Sequence, residues 1–146
     1  MRKQLVVFGD LRNSNKVWVY TPGSLPGEAG SWEEKQPSGD YCPPDQHFPV
    51  AFDMDNGVFL LVPDNNPDAP DEGNGKAGRA TSSSTFVYDP VSNTYRKLPG
   101  ADLPAQGMNY MMVYDTRRRV FFLVTGEPQS PPVVWVLRLD LASLQQ

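Results

Sequence analysis

The side chains best suited to covalent chemistry are the single cysteine, Cys42, and the single histidine, His47. Many enzymes build a nucleophile from such a pair, because the imidazole removes the proton of the thiol. Here both residues lie in a polar, proline-containing segment that carries no further motif of nucleophilic catalysis. A single cysteine near a single histidine in a loop is usually a chance arrangement without a catalytic role. We therefore predict no catalytic residue, and the sequence favours a non-catalytic protein while leaving enzymatic activity open.

Acidic side chains form two groups whose oxygens suit Ca²⁺. The first, Asp53, Asp55 and Asn56, lacks the alternating ligands and distal glutamate of an EF-hand loop and is typical of a hairpin turn. The second lies in the long polar segment 63–84, which is most simply a disordered surface insertion and alternatively a cation-binding loop. Its four candidate metal ligands are Asp64, Asp68, Asp71 and Glu72. No cofactor is predicted, since Ca²⁺ has no further support.

Composition excludes several classes of function. With a net charge of −4, the chain has little attraction for nucleic acid, and its one basic run, 117–119, is typical of a solvated turn. A single cysteine rules out an intrachain disulfide, and neither a leader nor a membrane-spanning apolar run is evident. We expect no nucleic-acid or membrane partner. The compartment is undetermined, with the cytoplasm as the default.

An internal repeat organises the chain, and a repeat of this kind determines the fold. Segment 52–62 matches segment 114–124 at an offset of 62 residues without a gap. Two apolar runs joined by a short polar turn predict a β-hairpin in each copy. Asn56-Gly57 predicts a tight primed turn, because both residue types accept positive φ.

A second motif recurs with looser spacing: Val17-Trp18-Val19-Tyr20-Thr21-Pro22 is similar to Thr85-Phe86-Val87-Tyr88-Asp89-Pro90, and 134–140 is a third copy. We name four strand types: A and B flank the hairpin turn, C carries this motif, and D carries the Trp or Tyr that follows it. The chain then reads B-C-D, A-B-C-D, A-B-C, which predicts ten strands. We expect one all-β domain, 1–146, with units at about 4–36, 47–99 and 108–141 and the insertion 63–84.

The segment Phe86-Val87-Tyr88-Asp89-Pro90-Val91-Ser92-Asn93-Thr94-Tyr95-Arg96-Lys97-Leu98-Pro99 resembles the repeats of kelch and galactose-oxidase-like β-propellers. The resemblance extends over roughly residues 4–140. It implies a partial propeller of three blades, the first and last incomplete, with type A strands lining a central channel. The double glycine of such repeats is reduced to Gly9-Asp10 and Thr125-Gly126, and Tyr95 stands where Trp is usual. Repeats of this family occur in enzymes, scaffolds and binding modules alike, so the resemblance indicates little about function.

The resemblance also implies a binding site at the channel mouth. His47 aligns with Asn109 at the start of a type A strand, and Trp32 lies on a rim strand where it either stacks on a sugar or packs between blades. The candidate ligand-binding residues are His47, Asp45, Tyr41, Asn109 and Trp32. The copper radical site of galactose-oxidase-type enzymes needs two histidines, so a chain with one histidine cannot build it alone.

Three blades are too few to close a ring, since known propellers have about four to eight. The open ends of such an arc expose apolar faces, which typically mark an interface. Either two copies form a six-bladed ring about a two-fold axis, or the chain is part of a longer product. The initial Met1 and the polar C-terminus favour the homodimer.

The leading functional hypothesis is a non-catalytic module that binds a protein or carbohydrate through its loops and channel mouth. One alternative is a hydrolase or oxidase whose site is assembled at the channel mouth of the oligomer. The other is a truncated repeat fragment without independent function.

Overall fold

The computed structural model describes residues 3–9, 16–43, 48–63, 82–100, 103–104, 110–126 and 131–141. Within these ranges the chain forms thirteen β-strands and no α-helix, so the predicted all-β class is confirmed. The strands are β1 (Leu5–Phe8), β2 (Val17–Thr21), β3 (Ser31–Lys35), β4 (Ser38–Gly39), β5 (Val50–Asp53), β6 (Val58–Leu61), β7 (Ser82–Ser83), β8 (Phe86–Asp89), β9 (Thr94–Lys97), β10 (Leu103–Pro104), β11 (Tyr110–Asp115), β12 (Val120–Thr125) and β13 (Val133–Leu137).

The described strands form three main sheets. The first sheet has the order β1-β2-β3, the middle sheet β4-β9-β8-β6-β5 and the third sheet β11-β12-β13, while β7 and β10 form a separate ladder. All pairs within the main sheets are antiparallel except β4 with β9. The ten predicted strands are therefore observed, whereas the two-residue strands β4, β7 and β10 were not predicted.

The three main sheets share one register. Equivalent pairs are Val6 with Val19, Leu60 with Val87, and Phe122 with Val136. Because successive side chains point to opposite faces of a sheet, these pairs mark one face, which we call the valine-rich face. The opposite, aromatic-rich face carries the pairs Tyr20 with Trp32, Tyr88 with Tyr95, and Leu123 with Trp135.

The valine-rich faces of the first and middle sheets each pack against the aromatic-rich face of the next sheet along the chain. The first junction contains Phe8, Val17 and Val19 from the first sheet and Phe59, Leu61, Phe86, Tyr88 and Tyr95 from the middle sheet. The second junction contains Val58, Leu60, Val62 and Val87 from the middle sheet and Met112, Phe121, Leu123, Trp135 and Leu137 from the third sheet. The middle sheet is thus covered on both faces, and these two junctions are the hydrophobic core.

The chain crosses from the first sheet to the middle sheet through a linker, residues 36–40, that includes β4. The amides of Ser38 and Asp40 donate to the carbonyls of Asn93 and Tyr95, at 3.1 and 3.0 Å. Gly39 has a φ of +90°, and a Cβ at this position would collide with the carbonyl oxygen of Tyr95. Glycine is therefore required where the linker lies against β9.

The predicted primed turn at Asn56-Gly57 is wrong. Residues 54–57 form a four-residue turn between β5 and β6, and within it only Gly57 has positive φ, at 73°. The amide of Gly57 donates to the carbonyl of Asp53 at 2.8 Å. The longer turn is stabilised because the side chain of Asp53 also accepts hydrogen bonds from amides inside it, which a two-residue turn would not offer.

Candidate functional site

The structure describes two of the five predicted ligand-binding residues. Tyr41 follows the linker and is 62% exposed, and Trp32 is 55% exposed on β3. His47, Asp45 and Asn109 lie outside the described residues, so the channel-mouth site stays a prediction. The predicted metal ligands Asp64, Asp68, Asp71 and Glu72 also lie outside them, as does most of the insertion 63–84.

Cys42 is buried in the first junction between sheets, with its Sγ 4.0 Å from the carbonyl oxygen of Pro43. Burial raises the pKa of Tyr95 in this cluster far above its usual value, and the nearby Cys42 adds to the shift. A thiol buried among aromatic rings has little of the solvent access that a reactive nucleophilic cysteine needs. Cys42 therefore contributes to the packing of the junction.

Asp53 ends β5 and caps the turn that follows. Its Oδ1 accepts hydrogen bonds from the amides of Asp55 and Asn56, both at 3.0 Å, and its Oδ2 accepts one from the Asn56 side chain at 2.7 Å. Buried carboxylates of this kind are stabilised by the donors around them. Among the described residues, no three His, Cys, Asp or Glu side chains are arranged to hold a metal ion. The first acidic group is therefore a turn-capping arrangement.

The same cap occurs after β11 and β8. The Oδ1 of Asp115 accepts from the amides of Arg117 and Arg118 at 2.9 Å, and the Oδ1 of Asp89 accepts from the amide of Val91 at 2.8 Å. The hydrogen bond from the Arg118 side chain, followed by backbone hydrogen bonds, lowers the pKa of Asp115. This shared cap was not predicted from the sequence, although an aspartate at the end of three predicted strands was the available signal. The residues with positive φ four positions later are Gly57, Asn93 and Arg119.

Aromatic rings fill the first junction. Phe8 lies edge-to-face against Phe59 and Tyr88, with ring centroids 5.2 and 5.4 Å apart, and such pairs contribute about 0.5–1.5 kcal/mol each beyond burial. The Tyr88 hydroxyl donates to Asn93 Oδ1 at 2.9 Å. Burial raises the pKa of Tyr88 to about 12, with smaller contributions from Asp89 and Glu33. The Tyr88 phenol is therefore uncharged at neutral pH.

A polar contact reinforces the second junction at the tip of the β5–β6 hairpin. The Tyr114 hydroxyl donates to Asp55 Oδ2 at 2.6 Å. Desolvation and hydrogen bonding to this carboxylate raise the pKa of Tyr114. The Tyr114 ring lies 4.9 Å from Phe121, which repeats the 4.7 Å pair of Phe52 and Phe59 in the middle sheet. Tyr114 thus packs against Phe121 as Phe52 packs against Phe59, and its hydroxyl adds a hydrogen bond between the third and middle sheets.

The two outer faces of the stack are exposed in the described part of the chain. The aromatic-rich face of the first sheet contains Leu5, Val7, Trp18, Tyr20 and Trp32. The valine-rich face of the third sheet contains Met111, Val113, Phe122, Val124, Val134 and Val136. Leu5 and Trp32 are each 55% exposed, and Met111 and Val136 are 59% and 61% exposed. Contiguous apolar surfaces of this kind mark sites of interaction.

Two cavities in the described structure, of about 200 and 190 Å³, both lie beside the second junction. Sites for small molecules typically enclose roughly 300–1,000 Å³. Each of these two cavities is smaller than such a site.

Comparison with protein-family models gives no match to this sequence, and comparison with curated proteins gives none. Among the described residues no helix is long and apolar enough to cross a membrane. The kelch resemblance is therefore carried by the repeated motifs alone.

Proposed function

We propose that the chain is a non-catalytic interaction module of the kelch-type β-propeller class, which works as part of a closed ring of sheets. Its loops and channel mouth bind a protein or carbohydrate in that ring. The observation that carries the proposal is the junction of a valine-rich face with an aromatic-rich face, which occurs twice between sheets whose strands pair in the same register. A stack that repeats one contact presents, at its two ends, the faces that the next contact requires.

The arrangement of strands around the second junction supports a propeller over a flat stack. The closest strands of the middle and third sheets are β5 and β11, which are the equivalent first strands of their sheets. Sheets that approach at their first strands and diverge towards their last strands are wedges around an axis. Wedges of antiparallel strands arranged in chain order are the plan of a propeller.

The contacts of the reactive side chains support a non-catalytic role. The carboxylates of Asp53 and Asp115 accept hydrogen bonds from the turns they cap, and Asp55 accepts a hydrogen bond from the Tyr114 hydroxyl. Cys42 packs inside the first junction. Each of these groups already has a structural use in the described fold, which favours a binding role for the assembly.

Electron microscopy of the purified assembly, together with turnover assays, tests this proposal. We expect a ring whose type A strands surround a central channel, and no turnover of glycosides or primary alcohols by the pure protein. Steady turnover of either substrate class would contradict the non-catalytic role. Particles whose sheets do not surround a channel would contradict the propeller.

A further inference from the structure

We propose that the exposed aromatic-rich face of the first sheet binds the exposed valine-rich face of the third sheet of a second copy of this chain. This inference rests on the proposed function, because it continues the same stack beyond one chain. Two copies joined in this way contact each other twice, reciprocally. The result is a closed dimer in which both apolar faces of both chains are covered.

The two faces match because the chain already contains this contact twice. At the first junction Phe8 packs against Phe59 and Tyr88. The shared register makes Val124 the equivalent of Phe8, while Leu5 and Tyr20 are the equivalents of Phe59 and Tyr88. Val124 of one copy is therefore expected to lie against Leu5 and Tyr20 of the other.

The strands that this contact needs are present at both ends. The first sheet presents Leu5 and Val7 from β1 and Trp18 and Tyr20 from β2. The third sheet presents Phe122 and Val124 from β12 and Val134 and Val136 from β13. In the described part of the chain the first sheet has no type A strand and the third sheet has no type D strand. Both are edge strands, and the first junction forms without a type A strand in the first sheet, so β1, β2, β12 and β13 are sufficient for the contact.

A second copy is the occupant that fits because the two outer faces differ. A partner that covers the aromatic-rich face has to present a valine-rich face in the same register, and the third sheet of this chain carries that face. A contact between unlike faces joins copies head to tail, and it closes with two copies when the rotation between them is two-fold. At both junctions within the chain, neither face packs against its own kind.

The test measures the mass of the purified chain by size-exclusion chromatography with light scattering. We expect the wild type at about twice 16.2 kDa. Leu5→Glu and Val136→Lys each place a charge on one outer face, at positions more than half exposed in the single chain. Each variant is expected to raise the dissociation constant of the dimer by about 100-fold or more, because an unpaired charge is buried at both junctions of the dimer.

An equimolar mixture of the two variants provides the decisive result. In a heterodimer one junction pairs two unaltered faces, and the other places Glu and Lys in the same interface, where their charges offset each other. We therefore expect the mixture to regain the dimer mass that each variant alone has lost. The matched control is Val91→Lys, because Val91 is 92% exposed in the turn after β8 and lies on neither face. The control is expected to remain dimeric.

Several outcomes would overturn the inference. A monomeric wild type, or two variants that both remain dimeric, would exclude contact through these faces. Loss of the dimer in only one variant would indicate that like faces pair, and a ladder of higher masses would indicate an open stack. Circular dichroism shows whether each variant folds. If Leu5→Glu or Val136→Lys does not fold, the pair Tyr20→Glu and Val134→Lys is used for the same test. A monomeric wild type overturns only this inference, because a different chain can also complete the ring of the proposed function, whereas steady turnover overturns only the proposed function.

Discussion

The first sheet and the middle sheet present the same aromatic pair in different surroundings. Tyr20 and Trp32 lie with ring centroids 5.1 Å apart at an angle of 42°, and Tyr88 and Tyr95 lie 5.0 Å apart at 46°. Yet Tyr95 is 3% exposed, whereas Trp32 is 55% exposed. The geometry of the pair is set within each sheet by cross-strand contact, while its burial is set by the neighbouring sheet.

This difference changes the interpretation of exposed aromatic residues at the end of a repeat. Trp32 alone suggests a platform for a sugar ring. Its equivalent, Tyr95, packs against the first sheet, so the residue type at this position is explained by contact between sheets. An exposed aromatic side chain at the end of a stack is therefore evidence for a further sheet before it is evidence for a ligand.

The largest expected effect comes from truncating the two equivalent rings. Tyr95→Ala should lower the free energy of unfolding by about 3–5 kcal/mol, because it opens a cavity in the first junction. Trp32→Ala should cost about 1 kcal/mol or less in dilute, monomeric protein, because half of this ring is already in water. Urea unfolding of both variants measures the two costs. Equal losses would mean that Trp32 is buried in the single chain.

The linker that joins these two sheets allows a second test, between two glycines with similar backbones. Gly39 and Gly27 have φ of +90° and +86°, but a Cβ at Gly27 has no atom within 4 Å, whereas one at Gly39 collides with Tyr95. Gly27→Ala should therefore cost about 1 kcal/mol from the backbone alone. Gly39→Ala should cost about 2–3 kcal/mol, because the steric clash is added.

Thermal unfolding of Gly39→Ala and Gly27→Ala gives both costs in one experiment. Hydrogen exchange at the amides of Ser38 and Asp40 adds a local readout, since these amides bind the carbonyls of β9. Exchange should accelerate in Gly39→Ala only. If the two variants lost the same stability, the close approach of the linker to β9 would not be important for joining the sheets.

The sequence was sufficient for ten of the thirteen described strands, because each of these ten carries its own signal. The offset that pairs Phe59 with Phe121 fixes the hairpins, and the Trp-Val-Tyr motif identifies β2 and β8. Alternation along each strand then assigns its two faces. The strands β4 and β10 carry no such signal, because their two residues pair through backbone groups that do not depend on side-chain pattern.

The turns and the candidate sites were harder to predict. Asn56-Gly57 favours a primed turn locally, but the contacts of Asp53 select a longer turn. Burial of Cys42 depends on how two sheets stack, which no spacing in the sequence specifies. The predicted site at His47, Asp45 and Asn109 lies outside the described residues, so it is neither confirmed nor contradicted.

The smallest expected effect separates the equivalent turns of the middle and third sheets. Gly57 and Arg119 occupy the same position and have φ of 73° and 55°, which a non-glycine residue adopts at a cost of about 1–2 kcal/mol. Arg119→Gly should therefore be more stable than Arg119→Ala by about 1 kcal/mol, because both variants remove the same charge and only glycine relieves the backbone. The 3.9 Å contact of Arg119 Nε with Asp55 is exposed, so its loss is small and is shared by both variants. In the equivalent turn, Gly57→Ala should lower the free energy of unfolding by about 1 kcal/mol, because it introduces the backbone strain that Arg119→Gly removes. Chemical denaturation of the three variants measures these differences. If Arg119→Gly and Arg119→Ala unfolded at the same denaturant concentration, the backbone at Arg119 would carry no strain and the two turns would differ in more than their last residue.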